Sequence, residues 1–319
     1  MFEALQVHIT DDCNLSCPYC FNLKRSTHYL AANKILIAIN DLFGERKNDF
    51  FLHFIGGEPL LYWDEIKDVL RSIWINRDFI PNHSITTNGK NINAQIINEF
   101  KILNTKITLS IEGRKERHQA LRIPFSDTDY HNLLQNTQLL LRTIGSNNVI
   151  ARLTLYRDLW DVTDEVEFLI SKGIRHFKIL PDLNISPDHC VNALAKLNHK
   201  FSQKILDGQI SIFPLNDQLL PNTKLACGVG ESIICIAPDE NFYPCHRFVY
   251  HKELILGNIT NGLKQNALNE WSNGMQQLRK VCNLCPNVNR CNFPCPYPDR
   301  IKMNENWCNW MGGITNNYI

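Results

Sequence analysis

From residue 5 to about residue 207, short runs rich in β-branched and aromatic residues alternate with longer segments whose apolar positions recur every three or four residues. The short runs predict strands at Leu5–Thr10, Phe50–Ile55, Ser84–Thr87, Lys106–Ile111, Val149–Leu155 and His176–Leu180. The second, FFLHFI, is almost continuously apolar, as expected of a strand covered on both faces of a parallel sheet. The longer segments predict helices at Ala31–Leu42, Trp63–Asn76, Ala94–Phe100, Tyr130–Thr143, Thr163–Lys172 and Val191–Asp207. Strand–helix units repeated in this order imply parallel strands joined by right-handed crossovers. Six such units are too few to close an eight-fold barrel. The expected fold is therefore α/β, an open, partial (β/α)6 TIM-like barrel with its site at the C-terminal ends of the strands.

The texture changes at DGQISIFPLNDQLLPNTK (Asp207–Lys224). Beyond it come short strands, Gly, Pro and Asn, and eight of the twelve cysteines. The expected organisation is a barrel over 1–207, a linker over 208–226 and a small cysteine-rich domain over 227–319. A segment with so few large apolar runs draws much of its folding free energy from bound metal. The remainder of the composition is that of an ordinary globular protein, 44% hydrophobic and 20% charged over 319 residues. A net charge of +1 argues against duplex nucleic acid or an anionic membrane surface as partner. No apolar run of transmembrane length occurs, and MFEALQVHIT lacks the pattern of a signal peptide. The expected location is the cytoplasm, where a reducing environment makes metal ligation a better use of twelve cysteines than disulfides.

Two stretches carry the chemistry. In DDCNLSCPYCFN (Asp11–Asn22), Cys13, Cys17 and Cys20 follow C-x3-C-x2-C spacing at the end of the first strand. Three thiolates suit a 4Fe–4S cluster that keeps one iron open. A zinc clip completed by His28 or a distant cysteine is the competing reading. In CNLCPNVNRCNFPC, Cys282, Cys285, Cys291 and Cys295 follow C-x2-C-x5-C-x3-C spacing, with Cys308 after them. Spacing alone leaves zinc open there too, as a knuckle or treble-clef module.

CNLSCPYC resembles the signature of the radical S-adenosylmethionine (SAM) enzymes. Further short motifs at successive strand ends extend the resemblance. GGEP (Gly56, Gly57, Glu58, Pro59) follows the second strand, TTNG with Thr87 and Asn88 the third, and SIEG with Ser110 and Glu112 the fourth; His118 and Arg122 then form H-x3-R. The resemblance implies that GGEP meets the SAM amino group through its backbone. It also implies that the other strand ends contact the ribose and carboxylate, and that Tyr19 or Phe21 lies near the adenine. The chemistry implied is reductive cleavage of SAM to a 5′-deoxyadenosyl radical, which abstracts hydrogen from an unactivated C–H bond. The cysteine-rich end is similar to the SPASM extension, a likeness joined by PDENFYPCHRF and LGNI. Glu240 departs from that pattern, which has glycine five residues before Cys245. The likeness implies two auxiliary 4Fe–4S clusters, making three in all. One would use Cys227, Cys235, Cys245 and Cys295, the other Cys282, Cys285, Cys291 and Cys308.

Full cysteine ligation of both auxiliary clusters points to electron transfer and a net oxidation. The resemblance implies a peptide or protein substrate and an external electron donor of flavodoxin or ferredoxin type. A cross-link such as a thioether or carbon–carbon bond in a ribosomal peptide is the leading expectation. Formylglycine formation as in sulfatase maturases, peptide epimerisation, and small-molecule dehydrogenation stand as alternatives. So does a non-enzymatic iron–sulfur or zinc interaction protein. The first cysteine comes too early for a leader-binding domain upstream, so a separate leader-binding protein is one expectation. His246 replaces the acidic base of the sulfatase maturases after YPC, and is a candidate base or a supporting hydrogen-bond partner. Cys190 reads as a small buried residue or, in an epimerase, a hydrogen-atom donor. Glu112 and Asp182 read as substrate contacts or helix caps, His53 as a satisfied buried histidine, and RKERH (Arg114–His118) as a solvated face.

Overall fold

Leu5 and Val7 alternate with Gln6 because they open a strand, β1 (Ala4–His8), with its apolar face fully buried. It belongs to a computed structural model that describes residues 2–20, 22, 26–44, 50–156, 161–182, 185–216 and 228–282. The chain then runs α1 (Ala32–Phe43), β2 (Phe51–Ile55), α2 (Trp63–Arg77), β3 (Asn82–Thr87), α3 (Ala94–Leu103), β4 (Lys106–Ser110), α4 (Lys115–Leu121), α5 (Asp127–Ile144) and β5 (Val149–Leu155). It continues with α6 (Val162–Ser171), β6 (His176–Pro181), α7 (Pro187–Leu206), β7 (Ser211–Phe213), β8 (Ile233–Ile236), β9 (Asn241–Tyr243), β10 (Gly257–Asn258), β11 (Gly262–Leu263) and α8 (Gln265–Cys282). All six expected strands and helices form. Helices α5 and α7 start earlier than the apolar period indicates, because their first turns are polar and set by caps. Ser126 and Asp129 make a reciprocal capping box for α5, and Ser186 caps α7 with Pro187 at its first position.

The chain divides into two compact units. One comprises Met1–Ser16, Cys20–Thr108 and Gly228–Gly274. Here β1, β2 and β3 are neighbours in parallel, and β8 pairs in parallel with the other edge of β1 before β9, β10 and β11 continue antiparallel. Leu5, Val7, Leu52, Phe54 and Ile85 are buried with the apolar stripes of α1 and α2. The opposite face is polar: Cys235, Gln6, His53 and Ser84 stand side by side across four strands. FFLHFI is thus only partly covered. Phe51 and His53 are half-buried, and the His53 ring bonds Ser84 Oγ at 2.5 Å and Thr86 Oγ1 at 3.2 Å. Glu240 takes a left-handed φ of 63° in the turn between β8 and β9, the conformation a glycine would supply freely. It faces Lys34 of α1 at 3.0 Å.

The other unit comprises Cys17–Tyr19, Leu109–Cys227 and Met275–Ile319. Strands β5, β6 and β7 are parallel, with Arg152 beside Lys178 and Lys178 beside Phe213. Val149, Ala151, Leu153, Phe177 and Ile179 form the buried face. Strand β7 arises within the stretch expected as a linker; only three residues long, it is below the length at which periodicity registers. The reading of RKERH as a solvated face is corrected. Within α4, Arg117 and His118 are 2% and 0% exposed. A seven-residue helix shows no apolar period, and its inward positions are polar because Arg117 and His118 both meet Glu112.

Candidate active site at the strand ends

The segment after β1 is clamped to the segment after β2 by backbone alone. Gly57 N–H donates to Thr10 O at 2.7 Å and Glu58 N–H to Asp12 O at 2.8 Å. The approach is so close that a Cβ on Gly56 would strike the Thr10 carbonyl and one on Gly57 the Asp12 carbonyl. This explains the paired glycines of GGEP physically. Glu58 is 1% exposed, and its carboxylate accepts from Leu60 N–H (3.0 Å), Thr87 Oγ1 (2.7 Å) and Asn88 N–H (2.7 Å). It therefore ties GGEP to TTNG. Asn88 Nδ2 in turn donates to Asn14 Oδ1, and Asn14 Nδ2 to Asn91 Oδ1, each at 2.7 Å. Asp11, wholly buried just before Cys13, accepts from His8 Nε2 (3.0 Å), Ser26 Oγ (3.2 Å) and the Tyr250 hydroxyl. Burial opposes its ionisation, but these donors outweigh burial and hold its carboxyl below the usual value.

In the other unit the centre is Glu112, 0% exposed at the end of β4. Its Oε1 accepts from Arg122 Nη2 (2.8 Å) and Tyr19 Oη (2.7 Å), and its Oε2 from Thr154 N–H (2.9 Å). Arg117 donates to the Glu112 carbonyl at 2.8 Å and to the Thr154 carbonyl at 2.6 Å. Burial works against ionisation of Glu112, yet Arg122 and Arg117 hold its carboxyl below the ordinary range. Glu112 is not a helix cap: Arg114 holds that position for α4. The Arg122 guanidinium also lies over the Tyr19 ring at 5.2 Å and 3.9 Å from Cys17 Sγ. His118 accepts Glu112 N–H on Nδ1 at 3.2 Å, and burial among cations pushes its pKa down to about 3, so the ring stays neutral. Gly113 is required because a side chain there would overlap Glu165, which holds Arg114 N–H at 2.5 Å.

Near the second cysteine set, Cys235 on β8 and Cys245 after β9 are buried. Cys245 Sγ accepts Arg247 N–H at 3.4 Å. Gln6 Oε1 accepts from both His246 N–H (2.9 Å) and His246 Nδ1 (3.0 Å). With Nδ1–H as the donor, Nε2 carries the lone pair. Cys190 is buried near the start of α7, and burial pushes its thiol up to about 12. Ser110, Pro59 and Asp182 are likewise buried, and His28 is exposed.

The Radical SAM superfamily model matches residues 7–177, more than half of the chain. This chain belongs to the radical SAM superfamily. A cysteine-type anaerobic sulfatase-maturating enzyme from Clostridium novyi (strain NT) is 23% identical over 304 residues, covering 82% of this chain and 80% of its own. The radical SAM cyclopropyl synthase TigE from Paramaledivibacter caminithermalis is 27% identical over 206 residues, 58% of this chain and 42% of its own length. Among solved structures, anSMEcpe with bound AdoMet and Cp18Cys peptide matches at a TM-score of 0.74 and 16% identity, covering 100% of both chains. SuiB from Streptococcus suis bound to its precursor peptide SuiA matches at 0.65 and 16% identity, over 94% of this chain and 73% of that one. These likenesses carry the fold, and the expected α/β partial TIM-like barrel holds.

For a radical SAM protein the residues present fit an iron–sulfur cluster. Cys13, Cys17 and Cys20 are not in disulfides and are half-buried. Among the described residues no three metal-ligating side chains form a preformed cage; what suits the loop to a cluster is donor chemistry. Arg122 beside Cys17 and the N–H donor at Cys245 favour thiolates. Burial, with Cys245 nearby, raises the Cys235 thiol well above its ordinary value, so it ionises only against a positive centre. Phe21, Cys227, Cys285, Cys291, Cys295, Cys308 and the side chain of Cys282 lie outside the described residues. The reading from sequence missed Asp11, Arg117 and Gln6. Only Asp11 carried a local signal, two residues before Cys13.

Proposed function

We propose that this radical SAM chain oxidatively modifies a peptide or protein side chain, a cross-link in a ribosomal peptide being the reading favoured. The observation that carries it is the link from Cys17 and Tyr19 of the cysteine motif to a buried ion pair: both meet Arg122, and Arg122 meets Glu112. When bound, a 4Fe–4S cluster on Cys13, Cys17 and Cys20 together with SAM supplies a 5′-deoxyadenosyl radical. The chain's own part is placement. Gly56 and Gly57 bring the GGEP backbone against the cysteine loop, and Glu58 fixes Thr87 and Asn88 beside it. Ser110, Glu112 and Arg122 are assigned to the ribose and carboxylate of SAM, with the Tyr19 ring toward the adenine. Cys227, Cys235, Cys245 and Cys295, and Cys282, Cys285, Cys291 and Cys308, are assigned to two auxiliary clusters that carry electrons away. His246 is positioned by Gln6 to take a proton on Nε2. Cys190 is assigned to packing.

Peptide chemistry is supported by relatives whose names or titles record a sulfatase-maturating activity and bound peptides. The first of these, matching over most of its length, also favours formylglycine formation as a second reading. The deciding experiment is anaerobic incubation of reconstituted protein with SAM, a reductant and candidate peptides, followed by mass spectrometry. Loss of two hydrogens from the peptide is expected. A new aldehyde in place of a cysteine or serine side chain selects the second reading. Absence of 5′-deoxyadenosine in every mixture overturns both.

A further inference from the structure

Gln6 stands in the middle of β1, on the face opposite buried Leu5 and Val7. In a (β/α) barrel the face turned away from the helices is ordinarily filled by bulky branched side chains. Here the row across β8, β1, β2 and β3 reads Cys235, Gln6, His53 and Ser84, and Gln6 and His53 are only half-buried. His246 opens a single 3-10 turn, His246–Phe248, so its N–H finds no acceptor within that turn. Gln6 Oε1 accepts this N–H at 2.9 Å and His246 Nδ1–H at 3.0 Å. A backbone N–H can only donate, so the atom it meets is the carboxamide oxygen, and the remaining atom of the group is Nε2.

The two ends of the carboxamide are used unequally. Two donors hold Oε1, whereas among the described residues Nε2 has no hydrogen-bond partner. Its neighbours in the row do not supply one. The His53 ring is engaged by Ser84 Oγ (2.5 Å) and Thr86 Oγ1 (3.2 Å), and Cys235 Sγ by Ile236 O (3.5 Å). The result is a donor of two hydrogens, held in place through its own oxygen, beside the imidazole. A carboxylate is a poor match for it. The row holds no lysine or arginine to offset a negative charge, and Cys235 as a thiolate would repel one. A neutral carbonyl oxygen carries no such penalty and offers two lone pairs.

We infer that Gln6 Nε2 binds a main-chain carbonyl of the substrate peptide and so sets which residue of that peptide lies next to His246. The inference rests on the peptide reading above. Gln6 then serves two purposes with separate atoms: Oε1 fixes the imidazole and Nε2 fixes the substrate. Gln6→Glu separates them, because a carboxylate accepts from both His246 donors and has no hydrogen to give. Gln6→Met keeps the length of the side chain and removes both functions.

The test is equilibrium dialysis of Ac-Gly-Ala-Cys-Ala-Gly-NH2 against the reconstituted full chain, with SAM and without reductant, parent and variants being compared at equal iron content. Each carbonyl of the peptide is replaced in turn by a thiocarbonyl, a weaker hydrogen-bond acceptor. One of these analogues should bind the parent protein about tenfold more weakly than the all-oxygen peptide. The same analogue should bind Gln6→Glu and Gln6→Met as well as the all-oxygen peptide binds them. A merely structural Gln6 would not give this coupling of one side chain to one carbonyl, since displacing β1 or His246 weakens every analogue alike. Equal affinity of the parent for all analogues, the same position-specific loss in both variants, or no binding of the all-oxygen peptide to the parent overturns the inference. Binding requires no SAM cleavage, so this outcome is separate from failure to form 5′-deoxyadenosine, which tests the enzymatic reading itself.

Discussion

His118 shows how far burial alone can set the chemistry of one residue. Its ring is 0% exposed, packed edge-on to Phe125 at 4.4 Å, and its pKa falls from 6.5 to about 3, chiefly from desolvation and then from Arg122. The sign of the consequence follows. Below pH 6.5 the unfolded chain binds a proton that the folded chain refuses, so stability is full above that pH and declines as the pH falls toward 3. Between pH 7 and pH 5 this one group costs about 2 kcal/mol. The buried carboxylates Asp11 and Glu112 are held below their usual values and contribute below this window. His83 and His176, also lowered, share it. Replacing His118 by Gln keeps an acceptor for Glu112 N–H while removing the proton site. The fall in thermal midpoint from pH 7 to pH 5 should be clearly smaller in His118→Gln than in the parent protein. Equal slopes would place the acid sensitivity elsewhere.

At the scale of elements, the decisive contact is between the turns after β1 and β2. Gly57 has no room for a Cβ, and the carbonyl it would strike belongs to Asp12, the residue before Cys13. Gly57→Ala must displace that backbone and break the Glu58–Asp12 bond of 2.8 Å. The expected cost is about 1–3 kcal/mol, with loss of the iron held by the Cys13–Cys20 loop and of 5′-deoxyadenosine formation. Far-UV circular dichroism should stay near that of the parent. Full SAM cleavage by the variant would show the loop to be positioned by other contacts. The strands and most helices were legible in sequence because apolar runs and periods reflect burial directly. GGEP, TTNG and SIEG were legible because turns at strand ends demand glycine and small polar residues. What lay beyond reach depends on chain segments meeting in space. The carboxylate of Glu58 ties the turn after β2 to the turn after β3, Arg117 is drawn inward by Glu112, and β8 pairs with β1 across more than two hundred residues of sequence. Residue spacing encodes none of these.

For the molecule as a whole, that last pairing bears on whether the two cysteine regions are separable. Cys235 sits in register with Gln6, and Gln6 holds His246, the neighbour of Cys245, while β1 leads directly into the loop of Cys13. Hydrogen bonds of strand backbone, not the thiols, make the β1–β8 ladder, so replacing the thiols leaves the ladder its donors and acceptors. Three 4Fe–4S clusters correspond to about twelve irons per chain. Cys13→Ala, Cys17→Ala and Cys20→Ala combined should retain about eight irons and form no 5′-deoxyadenosine. Cys235→Ala with Cys245→Ala should also retain about eight, still cleave SAM, and yield no modified peptide, because the path for the departing electron is broken. Iron analysis and chromatography of the nucleoside product read both. Stoichiometric zinc with no iron in the parent protein would remove the basis for any radical step, and loss of SAM cleavage in the second variant would mean that the β8 cysteines support the first loop rather than a separate electron route.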